Sequence, residues 1–498
     1  MKNKKMTLDV NEKPPLAKWL ILSLQHVFAM FGATILVPIL VNAAAGETVL
    51  TIPVALVTSG IGTLIYILCT KGKSPVYLGS SFAFIAPIAA AYAKGGISGA
   101  MTGVMVVGLI YVLVSFIIKL IGKNWINKLL PPVIIGPMIM IIGLGLAPSA
   151  ISQMGLAAGT VLEWKIVLVA VVAFLVTAIV MTMAKGFLKV IPFLIGIIAG
   201  YIIAALLGMV DFTPVAKASF FSLPHFMIPF VNYKLNFAAI LTIAPIALVT
   251  MCEHIGDHIS LSNIIEKDLL KDPGLDKTML GDGVATFVAG LLGGPANTTY
   301  GENTSVVGLT KVASVWVIGL AAIIAIIIGF LGKFTAIIST VPNAVLGGVS
   351  LLLYGFIAVN GLKVLIKNQV NFDSAKNVIV ASSMLVLGLG GASVSIATGD
   401  LEISFSGMSL AAIVGIILNL VIPEEENKTI ESDTENKKNF NKEDKKETTK
   451  IERTTEIESE LNKLKNNIKE ELTIELKSDI IKAIKEELNT KDHSKKTK

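Results

Sequence analysis

Cysteine is almost absent: Cys69 and Cys252 are the whole complement of a 498-residue chain. Both sit in apolar surroundings, which argues against a disulfide framework and against a cysteine-based metal centre. Charge is sparse as well, at 16% of residues against 53% hydrophobic ones, with a mean hydropathy of +0.73. A soluble chain of this size is not composed this way, so we read an integral membrane protein. There is no clear cleavage site behind the Lys-rich start. The first apolar run continues into a full span and reads as a retained helix, not a signal peptide. Nor is the net charge of +6 gathered on one soluble face. Residues 423–498 carry 18 basic and 20 acidic side chains, which leaves the rest with 24 against 16. That excess is lysine between apolar runs, the mark of cytoplasmic loops and not of nucleic-acid contact.

What is present is a long series of apolar runs. We expect an all-α membrane fold of fourteen spans, at 19–41, 50–70, 76–93, 97–119, 129–148, 163–184, 187–209, 236–258, 278–293, 298–311, 312–332, 340–360, 374–392 and 405–422. Residues 1–18 form a polar lead, 19–422 the membrane domain and 423–498 a charged tail. Thirteen lysines, among them Lys71, Lys123 and Lys267, fall on the side of the N-terminus; five (Lys94, Lys165, Lys217, Lys234 and Lys333) fall on the other. The bias and the even span count place both termini in the cytoplasm of a cell-membrane protein. The loop of about 210–235, rich in Pro and aromatics, is expected on the membrane surface. In the tail, 424–450 has the composition of disorder. From Ile457 to Leu488 apolar residues recur every three or four positions, as in an amphipathic helix, with or without a partner.

Two runs are interrupted. Span three begins Ser74-Pro75-Val76-Tyr77-Leu78-Gly79-Ser80-Ser81-Phe82. Span ten lies in Gly293-Gly294-Pro295-Ala296-Asn297-Thr298-Thr299-Tyr300-Gly301-Glu302-Asn303. The polarity of the second suits a surface loop. Its neighbours are too closely spaced for that, and broken backbone at membrane depth needs protein or a water-filled cavity around it. Spans three and ten are half of fourteen apart, which points to a seven-plus-seven inverted repeat with a substrate site at its interface.

Span eight ends Glu253-His254-Ile255-Gly256-Asp257-His258. Glu253 and Asp257 share one helical face, and His254 and His258 the neighbouring one. Intramembrane carboxylates mark ion paths, proton relays or ligand sites. A helix end dipping into water also fits, above all for His258. Paired histidines beside carboxylates can bind zinc, but the order is not His-Glu-x-x-His and no remote third ligand stands out, so we assign no metal. Glu253 and Glu302 together suit the N–H groups of a small polar heterocycle, with Phe82 stacking on the ring. Glu253 also suits proton uptake. His26 (span one) and Asp282 (span nine) fit either structural hydrogen bonding or a proton relay.

On these residues the sequence resembles the nucleobase–cation symporter family, also called the nucleobase–ascorbate transporters, over about Pro14 to Ile422. The matching stretches are Ser23–Pro38, Gly79–Phe84, Glu253–Gly256, Lys267–Leu275, Asn297–Asn303 and Gly347–Gly355. The resemblance implies core and gate domains, with short antiparallel strands in spans three and ten. It implies a base site in which Glu253 and Glu302 bond the base and Phe82 and Gly301 add main-chain contacts, with Tyr300 and Ala33 nearby. It further implies transport without enzyme activity or cofactor, a proton as co-substrate, and a homodimer. Glu302 matches the uracil branch, where purine members carry Gln. Asp257 departs from that branch, whose members have at this place a His tied to proton coupling. Glu253, Asp257, Glu302 and His26 are therefore the expected coupling set. The rivals are a xanthine or other nucleobase permease, an anion transporter of the same fold, a membrane metallohydrolase, and a tail that serves as the main docking module.

Overall fold

Proline opens several helices and glycine or another positive-φ residue closes several. α1 (Leu16–Ala45) stops at Gly46, φ 78°, and α2 (Ile52–Cys69) has Pro53 in its first turn. The computed structural model describes residues 6–185, 188, 191–236, 240–398 and 401–423. The expected tail helix near 457–488 lies outside them. Strand β1 (Leu78–Ser80) and a tight turn, Phe82–Phe84, lead into α3 (Ile85–Ile121). α3 breaks at Gly96, φ 60° and ψ −161°, between the third and fourth expected spans. A side chain is strained there, so this position needs glycine.

The next helices are α4 (Asn124–Leu129), α5 (Pro132–Gly145), α6 (Ala147–Gln153), α7 (Trp164–Met183), α8 (Pro192–Leu206) and α9 (Thr213–Lys217). After them come α10 (Ile240–Ile243), α11 (Ile246–Ile265), α12 (Leu275–Leu291), strand β2 (Asn297–Thr299), α13 (Gly301–Thr310) and α14 (Val315–Gly329). The last elements are α15 (Gly332–Ser339), α16 (Asn343–Lys367), α17 (Ala375–Leu389), strands β3 (Ser393–Thr398) and β4 (Leu401–Ser406), and α18 (Gly407–Val421).

Among the described residues six helical stretches are long and apolar enough to cross a membrane, and four shorter apolar helices accompany them. α3 shows how they are shared between lipid and protein. Leu109, Leu113, Phe116 and Leu120, in steps of four, three and four, are exposed, whereas Val104, Val107 and Tyr111 are buried and α3 packs on α12. Such a stripe needs a lipid environment. One group of packed helices contains α1, α2, α3, α12 and α14; another contains α5, α7, α8, α16, α17 and α18. α11 touches both, through α3 and α13 on one side and α5 and α18 on the other.

Two expectations change. Span eight does not end at residue 258: its helix runs on to Ile265 and closes at Glu266, φ 57°. Ile259 to Ile265 keeps helix-compatible side chains, and an apolar window undervalues its two serines and Asn263. Glu253–His258 is therefore mid-helix, and His258 is buried instead of meeting water. The all-α expectation, with strands only in spans three and ten, is also too narrow: a second strand pair lies between α17 and α18. Ser393-Val394-Ser395-Ile396 alternates with period two, and β3 pairs antiparallel with β4 from Ser393↔Ser406 to Thr398↔Leu401.

The polar lead is built into the fold. From Thr7 to Val10 it runs beside residues 311–315, with Thr7 N–H on the Lys311 carbonyl (2.7 Å) and the Val315 N–H on the Val10 carbonyl (2.9 Å). Lys267 Nζ meets Asp9 Oδ1 at 2.6 Å, and Lys13 lies 4.5 Å from the Trp19 ring centroid. Val10 is 2% exposed, in a cluster with Leu78, Leu261, Ile265 and Val307. The hydrogen bond from Lys267 holds the Asp9 carboxyl below the usual carboxylate range. A depressed folded value stabilises above the unfolded pKa and is lost as pH falls through the folded one; for this exposed pair the effect is small. Val10 matters more. Val10→Asp is expected to cost about 2 kcal/mol or more, lowering the melting temperature of the purified protein and opening the lead to protease. Unchanged melting and cleavage would contradict this packing.

Candidate functional site

The two interrupted runs meet. β1 pairs antiparallel with β2, Leu78 opposite Thr299 and Ser80 opposite Asn297. Backbone groups buried at this depth need partners, and the chain supplies them. Ser81 N–H reaches the Ala296 carbonyl (3.0 Å) and Tyr300 N–H the Tyr77 carbonyl (3.1 Å). Thr63 Oγ1 accepts from Leu78 N–H (2.9 Å), Ser59 Oγ donates to the Leu78 carbonyl (2.7 Å), and Thr286 Oγ1 donates to the Asn297 carbonyl (2.6 Å). The Asn297 amide donates to the Thr58 carbonyl at 2.8 Å. Hydroxyls from α2 and α12 thus fix two short strands from which a tight turn and α13 depart.

Tyr300 locks the strands together. Its hydroxyl donates to the Ser80 carbonyl (3.0 Å) and accepts from Thr34 of α1 (3.1 Å). Its ring lies against Gly79: a Cβ there would stand 2.3 Å from two ring carbons. Ala33, 2% exposed, is the neighbour of Thr34 on α1, which packs on both β1 and α13.

α11 brings the carboxylates. Glu253 and Asp257 lie one turn apart and are half-buried, as are Gly301 and Glu302, while the residues around them (Cys252, His254, Tyr300 and Asn303) are buried. These four residues lie where α11 packs on α13, a partly exposed junction that we call the cleft. Asp257 Oδ2 accepts from Thr299 Oγ1 at 2.8 Å. Its other oxygen is 3.6 Å from where a Gly301 Cβ would stand, and the Asn360 amide of α16 is 4.0 Å from the same point. Asp257, Glu302 and Asp282 are the charges that act on Glu253. Glu253 Oε2 is buried without a hydrogen-bond partner among the described residues. An unpaired buried carboxylate oxygen is costly, and a ligand N–H satisfies it. Phe82, 7% exposed, sits in the turn after β1. Its ring meets Tyr354 of α16 edge-on, centroids 5.9 Å apart.

His26 stands one step back. The Asn303 amide donates to both its Nδ1 (3.1 Å) and its main-chain carbonyl (3.2 Å). The two α11 histidines face away from the cleft. His254 contacts Asp282 and Thr278 of α12, and His258 contacts Tyr66 of α2. Asp282 is therefore the partner of His254. Sequence reasoning gave no role to Thr34, Thr299, Asn303, Tyr354 or Asn360. Thr299 and Asn303 carried a signal, as polar residues inside the interrupted run. Tyr354 lies inside the matching stretch Gly347–Gly355, whereas Asn360 carried no signal, because its part of the helix reads as an ordinary apolar span.

Comparison with known proteins agrees with this architecture. The model of a family described as "Permease family" (Xan_ur_permease) matches residues 17–397. The chain is 48% identical over 432 residues to the uracil permease of Bacillus subtilis (strain 168), covering 85% of this chain and 97% of that one. It is 44% identical over 418 residues to the uracil permease of Escherichia coli (strain K12), covering 83% and 93%. Among solved structures the fold is similar to SLC26A9 (TM-score 0.59, 13% identity, 82% of this chain and 66% of that one). It is also similar to the transmembrane domain of the cyanobacterium bicarbonate transporter BicA (TM-score 0.51, 16% identity, 83% and 100%). Identity this low speaks to fold alone. The chain belongs to the permease family: it is a multi-pass membrane transporter and not an enzyme.

Proposed function

We propose that the protein imports uracil together with a proton across the cytoplasmic membrane, both termini inside. The observation that carries this reading is the buried, unpartnered Glu253 oxygen, one turn from Asp257, which in turn lies beside Gly301 and its neighbour Glu302. Uracil has ring N–H donors and carbonyl acceptors. Carboxylates take the donors, and main-chain groups at Phe82 and Gly301 take the carbonyls. Phe82 covers the ring, and Tyr300 and Ala33 close the back of the site. Buried carboxylates repel one another, and a proton relieves that repulsion, so Glu253, Asp257 and Glu302 suit proton coupling. His26 enters through Asn303 without touching the base. The relatives named uracil permeases support the substrate.

The architecture in this reading is fourteen spans in a seven-plus-seven inverted repeat, and the two helix groups are core and gate. α16, bearing Tyr354 and Asn360 across the cleft, belongs to the gate. Its movement exposes the base to either side of the membrane, and a homodimer forms through the gate.

The test is labelled-uracil uptake into proteoliposomes under an imposed inward proton gradient. Gradient-driven uptake, competed by unlabelled uracil and weakened at least about tenfold by Glu302→Gln through loss of one charged acceptor, is expected. Uptake of xanthine instead would refute the substrate, and uptake indifferent to the proton gradient would refute the coupling.

A further inference from the structure

Behind the cleft, on the opposite face of α11, lies a second titratable cluster: His254, Asp282, His258 and Tyr66, all buried. Its hydrogen bonds can be counted proton by proton. Thr278 has one hydroxyl proton, with the Leu275 carbonyl 3.1 Å and His254 Nε2 3.0 Å from its Oγ1, so it can accept from a protonated Nε2 or donate to a bare one. The other ring nitrogen, Nδ1, is 2.7 Å from Asp282 Oδ2. Without a proton between them, two lone pairs would face each other at that distance. With one proton, on Nδ1, the pair is imidazole with carboxylate and carries one negative charge. A second proton makes it imidazolium with carboxylate, or imidazole with carboxylic acid, neutral overall.

His258 Nδ1 faces the main-chain carbonyl of His254 at 2.7 Å, and a carbonyl only accepts, so Nδ1 bears a proton. Nε2 is hydrogen-bonded to the Tyr66 hydroxyl (2.6 Å), which is bonded in turn to Ser74 (2.9 Å). The His258 ring stacks on His254, centroids 4.0 Å apart.

We propose that His254 and Asp282 form a second protonation site, whose proton is linked to the charge on Glu253 and hence to binding of the base. The inference rests on the uracil reading for its ligand only. With its second proton the pair adds no net charge behind Glu253; without it, it adds one negative charge in a low-dielectric interior. His254 is the residue next to Glu253 on α11 and is bonded to Asp282, so that charge stands close behind Glu253. The other titratable groups facing the pair are Asp257 and His258 on α11, Tyr66 on α2 and Tyr111 on α3. A proton on the pair thus favours an ionised Glu253, and a base that engages the Glu253 carboxylate favours a proton on the pair. Linkage of this kind is reciprocal.

The experiment uses the full chain in detergent, as wild type, Asp282→Asn and His254→Gln. Uracil binding is followed by calorimetry across pH, in buffers of different ionisation enthalpy, which gives protons taken up per uracil. Asp282→Asn is expected to take up fewer protons than wild type and to show a flatter slope of log Kd against pH; in His254→Gln the carboxyl titrates without its imidazole, so uptake moves to a different pH. Wild-type uptake and slope in both variants would overturn the proposal. A second arm needs no ligand: proton titration of each folded protein, in which Asp282→Asn should release one proton fewer than wild type. Identical titration curves would overturn the proposal even if uracil proves to be the wrong ligand. If Asp282→Asn fails to fold, the double variant His254→Gln with Asp282→Asn carries both arms, since the two amides can bond one another and neither titrates.

Discussion

Glu253→Gln is expected to reduce uracil binding and uptake by roughly 10- to 150-fold while leaving the protein folded. The range follows from about 1.5–3 kcal/mol for a hydrogen bond to a charged group, at about 1.4 kcal/mol per tenfold. The side chain keeps its length, so the packing of α11 is unchanged. What changes is chemistry: one of the two acceptor oxygens becomes an NH₂ donor, and the group no longer binds a proton in the relevant range. Oε2 has no partner among the described residues, so the amide disrupts no internal bond to that oxygen, and the loss should appear in ligand binding and not in melting temperature. Initial uptake rates in proteoliposomes and uracil affinity in detergent check it. Wild-type uptake with Glu253→Gln would remove Glu253 from the site, whatever the fate of the substrate assignment.

Gly79→Ala is expected to abolish transport through the fold of the site. Its Cβ would stand 2.3 Å from the Tyr300 ring, closer than any unstrained carbon contact. The ring has nowhere to go. It is 4% exposed and its hydroxyl is held by Ser80 on one side and Thr34 on the other. Either β1 moves off β2 or Tyr300 gives up both hydrogen bonds. Overpacking costs about 1–3 kcal/mol, and each lost bond about 1 kcal/mol more. Melting temperature should fall, and uptake should vanish because Phe82 and Gly301 depart from these two strands. Combining Gly79→Ala with Tyr300→Ala removes the clash, so the double variant should melt higher than the sum of the two single losses predicts. A Gly79→Ala protein that melts and transports like wild type would refute the contact.

The contrast between Glu253 and Gly79 shows what a sequence carries. Two carboxylates at positions 253 and 257 share a helical face in any helix, and an apolar run around them makes their burial expensive. Both facts are local, and both were legible. So was the interruption of the runs near Gly79 and Gly301, because polar and Gly/Pro-rich segments among apolar ones need a reason. That Gly79 must lie under the Tyr300 ring was not legible. The pairing joins residues more than 200 positions apart, and no periodicity encodes a partner at that distance. The extent of α11 was misjudged for a related reason. Hydropathy ends a span where polar residues begin, whereas Ser260, Ser262 and Asn263 remain helical with tertiary packing behind them.

The sequence by itself determined a membrane protein, the apolar runs that become its helices, the two broken runs and the residue types able to hold a polar ring and a proton. Composition, period and the cost of burying charge are local quantities, readable from neighbours along the chain. Only the tertiary structure decided which carboxylate faces the cleft and which faces a histidine. Glu253 and Asp282 look alike in sequence, each an acid in an apolar run. Each has one buried oxygen without a partner among the described residues, but the first shares its helix face with Asp257, whereas the second is bonded through Oδ2 to His254 at 2.7 Å. The difference is set by how α11 is rotated between α12 and β2, and that rotation comes from packing among segments far apart in the chain.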